Sequence, residues 1–278
     1  MKLGKIKIGL LFLFVLGLLV LPSKDAQAAN PGKVTLKVNK AYKSYDITGD
    51  KKKDTIIIKG SKDQYGTYQN ISIRVNGKQC ASWKNTDAYV IEAKLYTLKN
   101  GKPFLYLWFQ GDNDDGIGGV FQYKSGKFKQ IIDPNTFFGK KYQYAFHFNA
   151  TVKKVKGNTM TVQYYLMSNT LAGSTYTYDY TYKGGTLKRT SSQTSKITCF
   201  AGNTLTAQVS MKVYKNPDGK KTAFTLKPGK RIKLLGAYVK SGKFYIKVKG
   251  LSNKKTGWIK CYKEYPRKQP FQEIMYAG

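Results

Sequence analysis

The hexapeptide Phe104-Leu-Tyr-Leu-Trp-Phe109 runs apolar on both faces, whereas the segments around it alternate apolar with polar residues. Successive side chains of a strand point in opposite directions, so a continuous apolar run places apolar side chains on both faces of a sheet. Such a run is typical of a central strand that is covered on two sides. The sequence therefore predicts that a packed layer lies on each face of this strand.

Strand-like segments and tight turns flank the hexapeptide on both sides. Asn76-Gly77, the dipeptide most typical of a two-residue hairpin, follows the alternating apolar residues of the segment 71–75. Asn100-Gly101 and Ser125-Gly126 mark further turns, and no convincing 3.6-residue period interrupts the pattern. We therefore predict an all-β domain over residues 30–190, built either as an antiparallel β-meander of hairpins or as blade-like sheets. Its many tyrosines are expected to cover open sheet faces, with a sugar-stacking strip as the alternative.

A second module is predicted beyond a small, polar segment, residues 191–203, which we interpret as a linker. Short strands with turns marked by Gly or Pro follow it. They are predicted at Met211–Tyr214, Thr222–Leu226, Arg231–Leu235, Phe244–Val248 and Thr256–Lys260. Five such strands suit a small β-barrel over residues 204–263, with residues 264–278 as a C-terminal tail.

Four short motifs of this module resemble those of bacterial SH3-like (SH3b) domains. They are V-Y-x-x-P at 213–217, L-K-P-G at 226–229, F-Y-x-x-V at 244–248 and T-G-W-I at 256–259. The resemblance implies a small barrel of the kind that commonly attaches exported proteins to peptidoglycan or its cross-bridges. Tyr214, Tyr245 and Trp258 are then the candidate wall-ligand-binding residues. The alternative is a barrel with only a structural or protein-contact role, since a fold does not determine a ligand.

The stretch Asp46-Ile-Thr-Gly-Asp50-Lys-Lys-Lys-Asp54 places three carboxylates at every fourth position. Oxygens at positions 1, 3, 5 and 9 of a loop, with a backbone carbonyl at position 7, can surround a hard cation. The corresponding ligands are Asp46, Thr48, Asp50, the Lys52 carbonyl and Asp54. The loop therefore predicts a Ca²⁺ site.

The alternative is a solvated turn in which the acids bind local backbone amides. Lys51 stands at the sixth position, where a calcium loop prefers Gly, and three lysines oppose a cation. The stretch nevertheless resembles, from about Tyr42 to Lys59, the D-x-[NDT]-G-D-x-x-x-D loops of FG-GAP/VCBS-type β repeats. That resemblance implies calcium bound between the strands of a blade.

Residues 1–29 have the order of regions found in a secretory signal peptide. Lys2, Lys5 and Lys7 precede the apolar run Ile8–Leu21, and Ala26-Gln27-Ala28 supplies the small residues of a cleavage site. The run is shorter than the roughly 20 residues that a membrane-spanning helix needs. We expect cleavage after Ala28 and a secreted, extracellular protein.

The chain is strongly basic, with 49 Lys and Arg against 15 Asp and Glu and a formal net charge of +34. Loss of the signal peptide removes four lysines and one aspartate and leaves +31. Arginine, whose planar guanidinium can form two parallel hydrogen bonds to a phosphate or a base, occurs at only four positions. We therefore expect an exported monomer, at most peripheral to the membrane, that binds peptidoglycan, teichoic acid or another anionic glycan and no nucleic acid. The alternative is that the lysines only maintain solubility and protect strand edges.

Residues suited to catalysis are few. His147 is the only histidine and lies in a predicted strand, and Cys80 follows a hairpin turn, which is the wrong context for a cysteine nucleophile. We therefore predict a binding protein and not an enzyme. The alternative is a cell-wall hydrolase that uses the acids of the Asp112–Asp115 loop. The three cysteines allow at most one disulfide; Cys199 with Cys261 is the candidate pair, because both would flank the C-terminal module, and the sequence leaves open whether the two are bonded.

Overall fold

The computed structural model describes residues 32–111, 116–139 and 144–275. The first thirteen strands of this part of the chain form three antiparallel sheets. Their bounds are β1 Gly32–Thr35, β2 Ala41–Tyr45, β3 Asp54–Lys62, β4 Tyr68–Val75, β5 Lys78–Ala88, β6 Val90–Thr97, β7 Pro103–Gln110, β8 Gly116–Lys124, β9 Lys127–Ile132, β10 Ala145–Lys156, β11 Thr159–Ser168, β12 Ala172–Lys183 and β13 Thr186–Arg189. Sheet A has the order β1-β6-β7-β8-β9, sheet B the order β2-β3-β4-β5, and sheet C the order β10-β11-β12-β13.

The remaining strands form sheet D and one edge of sheet C. They are β14 Gln193–Thr194, β15 Ile197–Cys199, β16 Thr204–Thr206, β17 Met211–Tyr214, β18 Thr222–Leu226, β19 Arg231–Lys240, β20 Lys243–Gly250 and β21 Thr256–Lys260. Sheet D has the order β14-β19-β20-β21-β17-β18, with β16 also on β19, and β15 pairs with β12 of sheet C. Strands are present at all five segments predicted for the C-terminal module; the SH3-like barrel itself stays a prediction.

The all-β class is confirmed. In the ranges that the structure describes, helical geometry is limited to a 3₁₀ turn at Pro134–Thr136. No helix there is long and apolar enough to cross a membrane. Within sheets A, B and C most strands pair with the next strand in sequence, as in a meander; the exceptions are β1, which pairs with β6, and β15, which pairs with β12.

The predicted hairpin turns have the expected backbone geometry. Asn76 and Gly77, between β4 and β5, have φ of 50° and 79°, and Ser125 and Gly126, between β8 and β9, have φ of 49° and 80°. Two consecutive residues with positive φ match the right-handed twist of the flanking strands. These dipeptides therefore determine where the strands reverse.

Strand β7 supplies side chains to two different hydrophobic cores. The residues in the core shared with sheets C and D are Phe104, Tyr106 and Trp108, and those in the core shared with sheet B are Leu105, Leu107 and Phe109. All six are at most 5 % exposed. The prediction of a central strand that is covered on two sides is confirmed.

Sheet D shares its core with sheet C. The ring of Phe244 on β20 lies 4.7 Å from that of Phe138, 5.8 Å from that of Tyr144 and 5.6 Å from that of Tyr176. The Tyr144 hydroxyl also donates to the Gly242 carbonyl at 2.7 Å. The C-terminal module is therefore held against the preceding sheets by buried aromatic contacts.

The segments predicted as linker and tail both contain described residues that pair with or pack against the sheets. Residues 191–203 contain β14 and β15, which pair with β19 of sheet D and β12 of sheet C. In the predicted tail, 264–278, Phe271 and Ile274 are buried in the core, and Phe271 forms a β-bridge with Ala207. These contacts fix both segments to the body of the protein.

Candidate binding sites

The Asp46–Asp54 loop connects β2 to β3, and its carboxylates organise its own backbone. Asp46 accepts hydrogen bonds from the Gly49 amide at 2.6 Å and the Lys51 amide at 2.9 Å. Asp50 accepts from the Lys52 amide at 2.9 Å. Lys51 has φ of 68° and thus adopts the left-handed conformation for which a calcium loop prefers Gly. The loop makes its sharp turn without that glycine.

Asp54 lies at the end of the loop and is only 2 % exposed. One carboxylate oxygen accepts from the amides of Ile47 at 2.7 Å and Thr48 at 2.8 Å, and the other accepts from the Asn76 side chain at 2.5 Å. Burial raises the pKa of Asp54, but these hydrogen bonds outweigh burial and lower it. Asp54 is therefore an ionised group that joins the loop to the β4–β5 turn.

The three aspartates lie close enough together to share a cation. One carboxylate oxygen each from Asp46, Asp50 and Asp54 lies within 4.8 Å of the others. That separation suits a common ion with Ca–O distances of about 2.3–2.6 Å. Three carboxylates are also the donor type that calcium prefers, so the residues present fit the ion.

A cleft of about 720 Å³ borders this loop. Its walls come from the Asp46 loop of sheet B, from the end of sheet A at the β6–β7 turn, and from Tyr182 on β12 of sheet C. Asp46 and Lys51 both line it, so the predicted metal loop and the cleft form one continuous feature.

The three predicted wall-binding aromatics lie on one face of sheet D, opposite the face whose residues, among them Val213, Phe244 and Ile259, enter the core shared with sheet C. Tyr214 pairs in register with Trp258, and Trp258 pairs with Lys247, whose ammonium lies 5.6 Å from the indole. Tyr245 and Trp258 are only 3 % and 6 % exposed, while Tyr214 is half-buried. A ligand on this face would first meet Tyr214 and the Lys247 side chain.

The structure adds Tyr238 to this aromatic cluster. Its ring lies 6.4 Å from that of Tyr245 and 6.2 Å from that of Trp258, and it is half-buried. The sequence prediction ended the strand at Leu235, whereas β19 continues to Lys240 and places Tyr238 opposite Tyr245. Counting back from the Ser241-Gly242 turn would have found this pairing.

The candidate disulfide between Cys199 and Cys261, which the sequence left open, is not formed, because both thiols are free and buried. The Cys199 thiol donates to the Leu171 carbonyl at 3.4 Å. Burial strongly raises the pKa of Cys261, and contacts with Thr170 and the Ile246 backbone only partly offset this effect. Each thiol thus has its own protein partners.

Of the residues weighed for catalysis, the structure describes the side chain of Cys80. Cys80 is a free, buried thiol that donates to the Lys78 carbonyl at 3.3 Å. Asp112, Asp114 and Asp115, and the side chain of His147, lie outside the described residues, as does the predicted signal peptide.

The function of this chain has to be inferred from its sequence and from the structural features described above, because comparisons with known proteins gave no match. No protein-family model matches the sequence, and a search of curated proteins found no match either.

Proposed function

We propose that this chain is an exported, strongly basic binding protein of the cell envelope that attaches to peptidoglycan or to an anionic wall polymer and catalyses no reaction. The observation that carries the proposal is the charge: 49 basic residues against 15 acidic ones give +34 over 278 residues. A charge of this size attracts polyanions over long distances at low salt. In this proposal residues 1–29 direct export, with cleavage after Ala28.

The aromatic cluster of sheet D supports a second, local contact in this proposal. Tyr214 and Tyr238 are half-buried and offer ring surface next to the buried Trp258, whose indole lies 5.6 Å from the Lys247 ammonium. Aromatic rings pack on the apolar faces of sugars, and their phenol or indole groups can hydrogen-bond to hydroxyls. Charge would then bring the protein to the wall, and the cluster would hold it there.

Wall binding is expected to weaken with salt but to persist in part. Between about 0.1 M and about 1 M salt the Debye length falls from about 10 Å to about 3 Å, so attraction between exposed charges is screened. Aromatic contacts are less sensitive to salt, and a fraction of the protein should still sediment with purified peptidoglycan at 1 M. Replacing both half-buried tyrosines, Tyr214→Ala with Tyr238→Ala, should remove that fraction.

The matched control for this experiment is Phe200→Ala, which removes an aromatic ring that is 66 % exposed on a different surface. It should leave the salt-resistant fraction intact. Complete loss of wall binding at 1 M salt by the unaltered protein would mean that charge alone attaches it. Release of soluble wall fragments during the incubation would instead support the hydrolase alternative.

The Asp46–Asp54 loop supports a further part of the proposal, a bound calcium ion. Asp46, Asp50 and Asp54 would hold it, with the Thr48 and Lys52 oxygens completing the set. A ligand that binds only the folded state stabilises it by about 2.7 kcal/mol at 100 times its Kd. For a chain of this size, each kcal/mol corresponds to a rise in Tm of about 2–4 °C.

Thermal melts with calcium and with chelator should therefore differ for the unaltered protein and coincide for Asp50→Asn. That substitution keeps an acceptor for the Lys52 amide, so the turn is preserved while a charged ligand is lost. Asp218→Asn is the matched control, because Asp218 accepts from the amide two residues later in the same way, at 3.0 Å from Lys220. Equal melting temperatures at millimolar calcium would identify the loop as a plain turn.

A further inference from the structure

The outer face of sheet C is a polar surface that the proposed function does not use. Along β11 and β12 every second side chain enters the core shared with sheet D, among them Tyr164 and Tyr176. The intervening side chains therefore point away from that core. Five of them are half-buried threonines that belong to neither hydrophobic core: Thr159, Thr161, Thr175, Thr177 and Thr181. The two strands pair without a register shift from Thr159 to Ser168, so this face is regular.

This face is close to neutral, although the chain as a whole carries +34. Where β11 and β12 pair, both strands are described in full and neither contributes an outward lysine or arginine. Asp179 is the one charged residue among the outward positions of this ladder. It accepts from the Thr161 hydroxyl at 2.5 Å and lies 3.9 Å from the Lys196 ammonium. The phosphates or carboxylates of a wall polymer would find no cation on this ladder, so the face favours a neutral ligand.

A stacked pair of aromatic rings lies at one end of this face. The rings of Tyr165 and Phe200 are 5.4 Å apart, and their planes are within 18° of parallel. Phe200 directly follows β15, and its amide donates to the Gly173 carbonyl at 2.9 Å. A Cβ atom at position 173 would lie 3.0 Å from the Phe200 ring, so the glycine makes room for the ring. Phe200 is nevertheless 66 % exposed, and it therefore presents a positioned apolar surface to solvent.

Accessible polar side chains lie beside this pair of rings. Thr175 is the register partner of Tyr165, and Thr177 is the register partner of Gln163. The side chains of Gln163, Thr175 and Thr177 are half-buried and form no hydrogen bond with any residue that the structure describes. Opposite side chains of paired strands lie about 5 Å apart, so these donors and acceptors form a continuous group next to the rings. Ring surface beside hydroxyl and amide groups suits a sugar chain, which has apolar CH faces and many hydroxyls.

The outer face of sheet C lies on the opposite side of the protein core from the aromatic cluster of sheet D. Phe244 of sheet D and Tyr176 of sheet C meet in the shared core, with their rings 5.6 Å apart. Tyr214, Tyr238 and Trp258 lie on the other face of sheet D. The two surfaces therefore point away from the shared core in opposite directions. A protein attached through sheet D would leave the outer face of sheet C accessible.

We propose that the outer face of sheet C binds an extended neutral glycan, a second polymer in addition to the wall polymer of the proposed function. Phe200 and Tyr165 would pack against its sugar rings. Gln163, Thr175 and Thr177 would form hydrogen bonds with its hydroxyls. The inference goes beyond the proposed function, because it gives the protein a second ligand and lets it connect two polymers.

The test uses the full mature chain and calorimetric titration with cellohexaose, a soluble neutral oligosaccharide. The Kd of the unaltered protein should differ by less than about twofold between about 0.1 M and about 1 M salt, because the lysines do not attract a neutral ligand. Phe200→Ala should weaken binding about tenfold, and Phe200→Trp should retain it. The matched control is Tyr65→Ala, which removes a ring that is 76 % exposed between β3 and β4. It should leave the Kd unchanged.

A second variant, Gln163→Met, tests the polar contacts. It should weaken binding of cellohexaose about fivefold, the value of one ordinary hydrogen bond. The Gln163 side chain belongs to neither core, so the variant should fold, and a thermal melt checks this. The proposal is overturned if the unaltered protein does not bind cellohexaose at millimolar concentration, or if Phe200→Ala binds it equally well. A Kd that rises steeply with salt would assign the binding to the lysines and overturn it as well.

A sedimentation experiment separates this inference from the proposed function. Protein bound to purified walls should carry fluorescently labelled cellohexaose into the pellet, whereas Phe200→Ala should sediment with the walls and carry much less. If the unaltered protein sediments with walls but does not bind cellohexaose, the second ligand is wrong and wall attachment stands. If it binds cellohexaose but sediments with no wall preparation, the proposed function fails and the glycan site stands. Displacement of the protein from walls by cellohexaose would show that both ligands use one site, and would overturn the inference.

Discussion

Phe104→Ala and Phe109→Ala are each expected to lower the free energy of unfolding by about 3–5 kcal/mol, the usual cost of removing a buried phenylalanine ring. Phe104 is fully buried and its ring meets that of Tyr182 at 6.0 Å, whereas Phe109 is 2 % exposed and meets Trp83 at 5.1 Å. Both residues lie on β7, yet they enter different cores. The two substitutions therefore open separate cavities from one strand.

Denaturant unfolding measures the decrease in the free energy of unfolding, and amide hydrogen exchange shows which strands are affected. Phe109→Ala should accelerate amide exchange most in β3 and β4 of sheet B, and Phe104→Ala most in β10 to β12 of sheet C, because those strands line the affected core. Phe200→Ala, at a ring that is 66 % exposed, serves as the control and should cost less than about 1 kcal/mol. Identical exchange patterns for the two core variants would show that β7 does not separate two cores.

The local features of this fold could be predicted because they depend on neighbouring residues. The apolar run of β7 predicted burial on both faces, and Asn76-Gly77 and Ser125-Gly126 predicted the reversals that the structure shows. Each of these patterns acts within a few residues, either through the two-residue period of a strand or through the positive φ of a turn.

The packing between modules could not be predicted in this way. The segment 191–203 is small and polar, which suggested a linker, yet it pairs with strands on two sheets. Phe244 meets Tyr176 across 68 positions of the chain, and no local pattern reports such a contact. The thiols of Cys199 and Cys261 flank one module in sequence, but proximity in sequence does not provide disulfide geometry.

In the candidate sites, too, the features that depend on local spacing could be predicted and the contacts between distant residues could not. The spacing of Asp46, Asp50 and Asp54 predicted that their oxygens converge, and they lie within 4.8 Å of one another. The spacing did not predict that Asp54 also binds Asn76, a residue of another turn.

Asp54→Asn is expected to destabilise the protein by about 2–3 kcal/mol at neutral pH, the usual value of hydrogen bonds to a buried charged group. The Asp54 carboxylate accepts from the amides of Ile47 and Thr48 on one side and from the Asn76 NH₂ on the other. The orientation of Asn76 is fixed, because its own oxygen accepts from the Thr55 amide at 2.8 Å. An asparagine at position 54 would therefore turn an NH₂ group toward either the loop amides or Asn76.

The cost of Asp54→Asn should decrease in acid. The folded-state pKa of Asp54 lies below its ordinary value of 3.8, so ionised Asp54 stabilises the fold above that value, and the stabilisation disappears as pH falls through the folded-state pKa. Hydrogen bonds from Gln69 and Thr67 lower the pKa of Asp63 to about 2. Because Asp63 is present in both proteins, its contribution cancels when their free energies of unfolding are subtracted.

Urea denaturation at pH 7, 5 and 3 measures the free energy of unfolding of the unaltered protein and of Asp54→Asn. The difference between the two values should be constant above about pH 5 and should decrease below it. With chelator present throughout, Asp50→Asn, at an exposed carboxylate, is the control and should lower the free energy of unfolding only slightly at pH 7. A cost of Asp54→Asn that stayed constant from pH 7 to pH 3 would mean that the charge of Asp54 does not stabilise the loop.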